Sequence, residues 1–359
     1  MDNFFTQNAA WHEKIGQIYA LLERVKMSEE QSADVLHLRK ISRILSIGST
    51  TAIEGNRLSP SQVRDVINGK PVLGPPKDIK EVQNAFAAYE LIPQLNPYSV
   101  DDFLIAHKHI TSELISESGQ FRTVSVFVVN GKGDILHSGA DFNEVPTLVS
   151  ELFEWAKDSD AHPLIKSSAM HFMIEHIHPF RDGNGRIGRL WQTLVLTKWN
   201  ALFEWMPVET IIYNNQAKYY EALQRSHNNA GKVDCAPFID FMLDVLENTM
   251  YKYIDNATTT VAVEKTKLGA NDMEKLGVKL GVKLGVNQIK ILKLIHSNNH
   301  ITIKEMAEKM KISETAIQNH LSKLKNAGIV IRVGSDKSGA WRIILNKDRK
   351  HESDTTNQF

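Results

Sequence analysis

The chain has 359 residues, enough for two or three domains with their own cores, and its 42 Lys and Arg balance 42 Asp and Glu. No whole-chain charge argument therefore points to nucleic acid, a membrane surface or an acidic substrate, and any electrostatic role must be local. A hydrophobic share of 42% excludes a disordered chain, and the single cysteine, Cys235, excludes an intrachain disulfide and a cysteine-based zinc site. The N-terminal MDNFFTQNAAW lacks a basic stretch followed by an apolar one, and no run of about 18 apolar residues occurs, so the expectation is a cytoplasmic protein without membrane contact.

Apolar residues three and four apart predict helices through most of the first 250 residues. Trp11, Ile15, Ile18, Tyr19, Leu22 and Val25 form one stripe, and Val35, Leu38, Ile41 and Leu45 another. Ser59 reads as an N-cap before Pro60, with Val63 and Ile67 on one face and Gly69 after the last turn. Further helices are expected over 77–92, 99–118 and 143–155. Residues 123–129, TVSVFVV, are β-branched, and Asn130-Gly131 before Asp134-Ile135-Leu136-His137 signals a hairpin. A lone hairpin in a helical protein keeps its edges free to take an extended peptide as a third strand. After Tyr253 the composition shifts, and residues 275–286 read KLGVKLGVKLGV, which predicts a linker or an interdomain packing segment.

From Asn287 three short helical patterns follow: Ile289, Leu292, Leu294 and Ile295; Ile303, Met306 and Met310; and Ile317, Leu321 and Leu324. Ser313 caps the third, Gly328 ends it, and IVIRV and WRIIL read as strands. Three helices and a hairpin resemble the winged helix-turn-helix family. Between 287 and 347 eleven Lys and Arg face four acids, a local basic excess that the whole-chain balance conceals. That excess suits phosphate contacts, with Ser313, Thr315, Gln318, Asn319 and Lys323 presented to a groove of DNA. Winged helices also dock proteins, and both readings stay open.

The stretch that carries chemistry is His178-Pro-Phe-Arg-Asp-Gly-Asn-Gly-Arg-Ile-Gly-Arg189. Ile165, Ala169, Phe172, Met173 and Ile177 fit a helix before it, and Ile187, Leu190, Trp191, Leu194 and Val195 fit one after it, so the motif is a loop entering a helix N-terminus. Gly183, Asn184 and Gly185 leave backbone N–H groups free where the helix dipole attracts anions. Arg186 and Arg189 share a helical face and are expected to aim two guanidinium forks at one place, which implies a polyphosphate. Asp182 is a hard oxygen ligand suited to Mg²⁺ beside phosphates, and His178 is a neutral base for a hydroxyl that attacks phosphorus. Gly183, Gly185 and Gly188 also satisfy G-x-G-x-x-G, but a helical pattern rather than a strand precedes them. His171, His176 and His178 with Glu175 do not have the spacing of a metal-binding helix.

The twelve residues match H-x-F-x-[DE]-G-N-G-R-x-x-R, and the chain resembles the Fic family over roughly residues 1–255. The resemblance implies a mainly α fold: a Fic helical bundle with a β-hairpin flap, plus a small winged helix-turn-helix domain. The corresponding boundaries are an N-terminal helical region 1–95, a catalytic core 96–255, a linker 256–286, the winged helix 287–347 and a polar tail 348–359. It implies transfer of AMP from ATP, with Mg²⁺, to a Ser, Thr or Tyr hydroxyl of a protein, the chain itself included, and leaves a homodimer open. His178 takes the role of base. Phe180 anchors the loop, Asp182 holds the metal, and residues 183–189, Ile187 and Gly188 among them, line the nucleotide. Asp134, Ile135, Leu136 and His137 form the flap beside it. Tyr219 and Tyr220 resemble the family's pair near the adenine, with His227 where a eukaryotic member has Asn.

Thr50-Thr-Ala-Ile-Glu54-Gly55-Asn56 resembles the inhibitory motif [ST]-x-x-x-E-[GN] of class II members. The resemblance implies that Glu54, at the end of a helix with Ile41, Leu45 and Ile53 inward, takes the place of a γ-phosphate and pairs with Arg189. Transfer of UMP, phosphate or phosphocholine, removal of AMP, and a DNA-binding regulator that senses nucleotide are the competing functions. A pure sensor has no use for His178.

Overall fold

The computed structural model describes residues 4–31, 35–129, 135–228, 232–265, 285–298, 300–326, 329–333 and 340–343. The Asn130-Gly131 turn, Asp134, residues 275–284 of the KLGV repeat, Gly328 and the polar tail lie outside them. The chain divides into two compact units, Met1–Glu264 and Lys265–Phe359.

The first unit is helical: α1 (Ala10–Gln31), α2 (Val35–Ile53), α3 (Pro60–Ile67), α4 (Pro76–Glu90), α5 (Val100–Thr111), α6 (Val145–Asp158), α7 (Pro163–Ile177), α8 (Asn184–Trp199), α9 (Val208–Asn214), α10 (Gln216–His227) and α11 (Ala236–Lys265). One hairpin interrupts them, β1 (Phe127–Val129) antiparallel to β2 (Ile135–Ser138), with Val128 opposite His137. At the centre α7 packs on α8, and both are buried on nearly every side. Such helices lose the usual polar face, and their few polar residues must find partners inside. His171 on α7 bonds Gln192 on α8 at 2.7 Å, and Trp191 donates to Pro97 O at 3.1 Å and meets Phe103 edge-on at 5.0 Å. Ser59 caps α3 with a reciprocal Gln62 bond, and Val63 and Val66 are its buried positions.

Several expectations need correction. Tyr19 is 48% exposed and leaves the α1 stripe, its hydroxyl meeting His162 Nε2 at 3.1 Å, while Leu21 is buried. Ile41 is 40% exposed and Leu45 only partly buried, because α2 turns a polar side inward: Ser42, Arg43, Ser46, Ser49 and Thr50 are buried. That side is satisfied by Thr210, which Ser49 meets at 3.0 Å, by Glu204, which pairs with Arg43 at 3.3 Å, and by Arg189. The helix expected over 99–118 stops at Thr111, whose hydroxyl bonds back to His107 O, and Glu113 takes φ 59° two residues on. Of residues 123–129 only the last three form a strand. Residues 256–265 continue α11 rather than opening a linker.

The second unit comprises α12 (Val286–Ser297), α13 (Ile303–Met310), α14 (Glu314–Asn326) and the antiparallel pair β3 (Val330–Val333) and β4 (Ala340–Ile343). Leu292, Ile295, Met306, Ile317, Leu321, Leu324 and Trp341 share its core. Thr302 and Glu305 form a capping box for α13, Lys311 in the left-handed region makes the sharp turn, and Ser313 accepts from Ala316 N at 3.2 Å. Thr315, Gln318, Asn319 and Lys323 are exposed on α14. Among the described residues no helix is long and apolar enough to cross a membrane.

Trp191 has no exposed surface at the α5–α8 contact. Trp191→Ala is expected to lower the unfolding free energy by about 3–5 kcal/mol. Trp191→Phe should cost less, chiefly by leaving the buried Pro97 carbonyl without its donor, and urea denaturation of the two variants measures the order.

Candidate active site

Three side chains fix the loop between α7 and α8. Asn184 clamps it from within, accepting from Phe180 N at 2.9 Å and donating to Phe180 O at 2.8 Å. Phe180 is wholly buried and stacks on His107 at 3.5 Å, and His107 Nδ1 accepts from Gly119 N at 3.0 Å. Its proton is therefore on Nε2, which donates to Asp182 O at 2.9 Å. Arg122 holds the loop's entrance, with bonds to His178 O at 2.7 Å, Val124 O at 2.8 Å and Ala140 O. These contacts hold His178 in the left-handed region, φ 53° and ψ 59°, a conformation that costs a non-glycine residue about 1–3 kcal/mol. His178 Nδ1 lies 3.3 Å from Glu175 O, an acceptor only, which leaves Nε2 as the basic nitrogen. Burial pulls its pKa down to about 4, so the ring is neutral at pH 7.

Where α8 begins, the N–H groups of Asn184, Gly185 and Arg186 precede the first intrahelical bond, Ile187 N to Gly183 O at 3.0 Å. Gly183 has φ 87°, and a Cβ there would meet Thr111 Cγ2 at 2.8 Å. Gly185 matters differently: a Cβ would collide with Glu54 Oε1, which sits against the helix end. Glu54 follows α2 and pairs with Arg189 Nη2 at 2.5 Å, and Arg189 also donates to Thr50 Oγ1 at 2.9 Å and Thr50 O at 3.1 Å. The guanidinium is 2% exposed. Burial works against its charge and the Glu54 carboxylate more than offsets this, which raises its pKa.

Glu54, His137, Glu175, His178, Asp182, Arg189, Tyr219, Tyr220 and His227 line one cavity of about 450 Å³. Tyr219 is buried with its hydroxyl 3.0 Å from Glu175 and 3.2 Å from His171, whereas Tyr220 is 43% exposed. Burial, opposed by Arg189, raises Glu175 to about 7. Burial lowers His176 to about 4 and His227 to about 3, and lowers His137 also. A larger cavity of about 850 Å³ lies between the start of α1 and the α6–α7 corner and holds none of the motif residues.

The model of the Fic/DOC family matches residues 97–196, and that of the winged helix-turn-helix DNA-binding family matches 286–331. The chain carries a Fic domain. It is similar to a Fic family protein of Desulfovibrio desulfuricans G20, whose crystal structure superposes with a TM-score of 0.65 at 28% identity over 96% of this chain and 98% of that one. It is 28% identical over 224 residues to the protein adenylyltransferase Fic of Nematostella vectensis, covering 59% of this chain and 48% of the relative. The protein adenylyltransferase fic-1 of Caenorhabditis elegans is 28% identical over 239 residues, covering 62% and 44%. The chain thus spans less than half the length of these two adenylyltransferases.

Within the Fic motif, His178, Asp182, Gly183, Asn184, Gly185 and Arg189 reach the cavity wall, and three expected residues do not. Arg186 is not aimed alongside Arg189: it pairs with Asp182 Oδ1 at 2.9 Å and Glu81 at 3.5 Å, at 4% exposure. Ile187 is core, and Gly188 admits the His171 ring, to which a Cβ would come within 2.8 Å. Ile135 and Leu136 are placed in β2 and His137 on the cavity wall, while Asp134 lies outside the described residues. His171, His176 and His178 do not form one cluster. Residues missed from the sequence are Thr50, His107, Arg122 and Glu175. Thr50 opens the TTAIEGN stretch and was readable as a partner; Arg122 and His107 carry no local pattern that marks them.

His107 and His171 have no exposed surface, and burial holds them at about 4 and about 3 against an ordinary 6.5. The unfolded chain binds their protons first, so this stability is complete above about pH 6.5 and is lost as the pH falls toward 4. Glu175 has the opposite sign, its contribution present below 4.5 and lost as the pH rises through 7. The histidines outnumber it, and the unfolding free energy from urea denaturation should fall between pH 7 and pH 5, by about 1–2 kcal/mol for each of the two enclosed rings, with a lower midpoint. A midpoint that stays level would contradict neutral burial.

Proposed function

We propose that the protein is an adenylyltransferase that moves AMP from ATP to a hydroxyl side chain of a protein, held back by Glu54. One observation carries the reading: His178 and Arg189 line the same cavity, and the Arg189 guanidinium is already taken by a carboxylate from α2. In the proposed reaction His178 Nε2 takes the proton of the target hydroxyl, whose oxygen bonds to the α-phosphorus. The bond from that phosphorus to the bridging oxygen breaks, and pyrophosphate leaves with the electron pair. Bound phosphates raise the His178 pKa by their negative charge, which makes the buried ring a better base once nucleotide is present.

Asp182 is partly exposed on the cavity wall, with Oδ1 held by Gly183 N at 2.6 Å and by Arg186. A single oriented carboxylate fits Mg²⁺, which takes its other ligands from phosphate and water and offsets phosphate charge when bound. The resemblance to named adenylyltransferases supports the choice of AMP, and the exposed ring of Tyr220 offers a face for the base. A second observation favours DNA as a further partner: the match to a DNA-binding winged helix, with Thr315, Gln318, Asn319 and Lys323 exposed on one helix.

Glu54→Gly should raise incorporation of label from α-labelled ATP by at least ~10-fold, because a bond to a charged group is worth roughly 1.5–3 kcal/mol. The gain should vanish in Glu54→Gly with Arg189→Ala. Equal labelling of wild type and Glu54→Gly rules out the inhibitory role. His178→Ala should lower the rate by about 10²–10⁴ while ATP still binds in equilibrium dialysis, and full activity sinks the assignment of the base. Full-length protein should bind duplex DNA with an affinity that falls steeply with salt, more weakly after Lys323→Glu; salt-independent binding points to protein docking instead.

A further inference from the structure

Three histidines to which the proposed transfer gives no proton or phosphate to handle converge from separate elements: His137 on β2, His176 near the end of α7 and His227 at the end of α10. Each offers one ring nitrogen, and these nitrogens lie within 4.8 Å of one another. His176 Nδ1 faces His227 Nδ1 at 3.0 Å, and the His137 ring is stacked on that of His227 at 3.8 Å, so one of the two rings must turn about its side-chain torsions for the lone pairs to converge on an ion. Zinc–nitrogen bonds of about 2.0–2.1 Å in a tetrahedron place donors about 3.3–3.4 Å apart, so the first pair stands close to ligating distance.

Protonation agrees with ligation. His137 Nε2 lies 2.7 Å from the carbonyl of His176, which can only accept, so the proton is on Nε2 and Nδ1 keeps its lone pair. A ring N–H bonded to a backbone carbonyl is the support that metal-bound histidines use. One of the two facing Nδ1 atoms donates its proton to the other, and ligation by both takes the other tautomer of the donor ring, with its proton on Nε2. His137 and His227 also line the cavity, so a fourth position opens toward it.

We propose that His137, His176 and His227 form a site for a borderline transition-metal dication, zinc first. Three imidazoles without a carboxylate select zinc, copper, nickel or cobalt over Mg²⁺ and Ca²⁺, which prefer oxygen. The site is separate from Asp182 and does not rest on the transferase reading. An ion there ties the flap strand to α7 and α10.

The test is titration of full-length, chelator-stripped protein with Zn²⁺ in excess Mg²⁺, against a chromophoric chelator. One tight site per chain and a melting temperature that rises with Zn²⁺ are expected, and Co²⁺ should give the intense visible bands of a tetrahedral site. His137→Gln, His176→Gln and His227→Asn should each weaken binding by at least ~10-fold, as loss of a ligand must when loss of an outer partner already costs that much. His109→Gln, at an exposed position on α5, should not change it. Circular dichroism checks folding, and His227→Asn, on the cavity wall, keeps the test open if His176→Gln unfolds. Unchanged affinity in a folded His137→Gln/His227→Asn double variant, displacement by Mg²⁺, or no tight site at all overturns the proposal.

Discussion

A guanidinium with 2% exposure beside a helix N-terminus is the constraint around which the first unit is arranged. Arg189 is withdrawn from water, and the free N–H groups of α8 on the cavity wall add to its positive potential. An isolated charge in such surroundings is untenable, so an anion must be supplied. Glu54 supplies it here through Nη2, with Thr50 accepting from Nε and Nη2. The same demand can be met by a phosphate, and two anions cannot occupy one fork. The competition that the proposed function invokes between a carboxylate of the chain and a phosphate would thus follow from burying Arg189.

The loop that carries His178 depends on groups that never reach the cavity. Arg122 bonds several carbonyls around the bend, Asn184 closes the turn on Phe180, and His107 receives Phe180 on its face. Each satisfies backbone polar atoms that the tight loop would otherwise leave bare. The strained dihedrals of His178 persist because these contacts determine them from several sides. Precision at one imidazole therefore comes from side chains on α5, on the segment after it and on α8.

Much of this was readable in the sequence, for uneven reasons. The HPFRDGNGRIGR loop states its own geometry, since glycines, a cap and flanking helical periods are all local. The α2 face escapes apolar periodicity because Ser42, Arg43, Ser49 and Thr50 turn inward together with Leu38, Ile47 and Ile53. Arg186 was misread because a shared helical face does not say which carboxylate waits there, and Glu81 lies a hundred residues upstream. The grouping of His137, His176 and His227 follows from tertiary packing alone, and no local spacing in the sequence marks it.

The polar inner side of α2 also bears on how firmly Glu54 is held. Leu38, Ile47 and Ile53 are buried, so the helix itself is anchored by burial of apolar surface. Gln216 Nε2 adds a bond to Ile53 O at 3.1 Å, tying the end of α2 to the start of α10. Glu54 lies one residue beyond that anchor, in a turn closed by Gly55 at φ 89°, with its side chain 30% exposed. Under the proposed function its carboxylate leaves Arg189 by side-chain rotation and regains water only as an incoming phosphate takes its place, because the buried guanidinium cannot be left unpaired. An apolar plug at the same place could withdraw only by exposing its whole surface. In the proposed exchange a carboxylate on a fixed helix end thus hands Arg189 from one anion to another, a change that asks for no movement of α2.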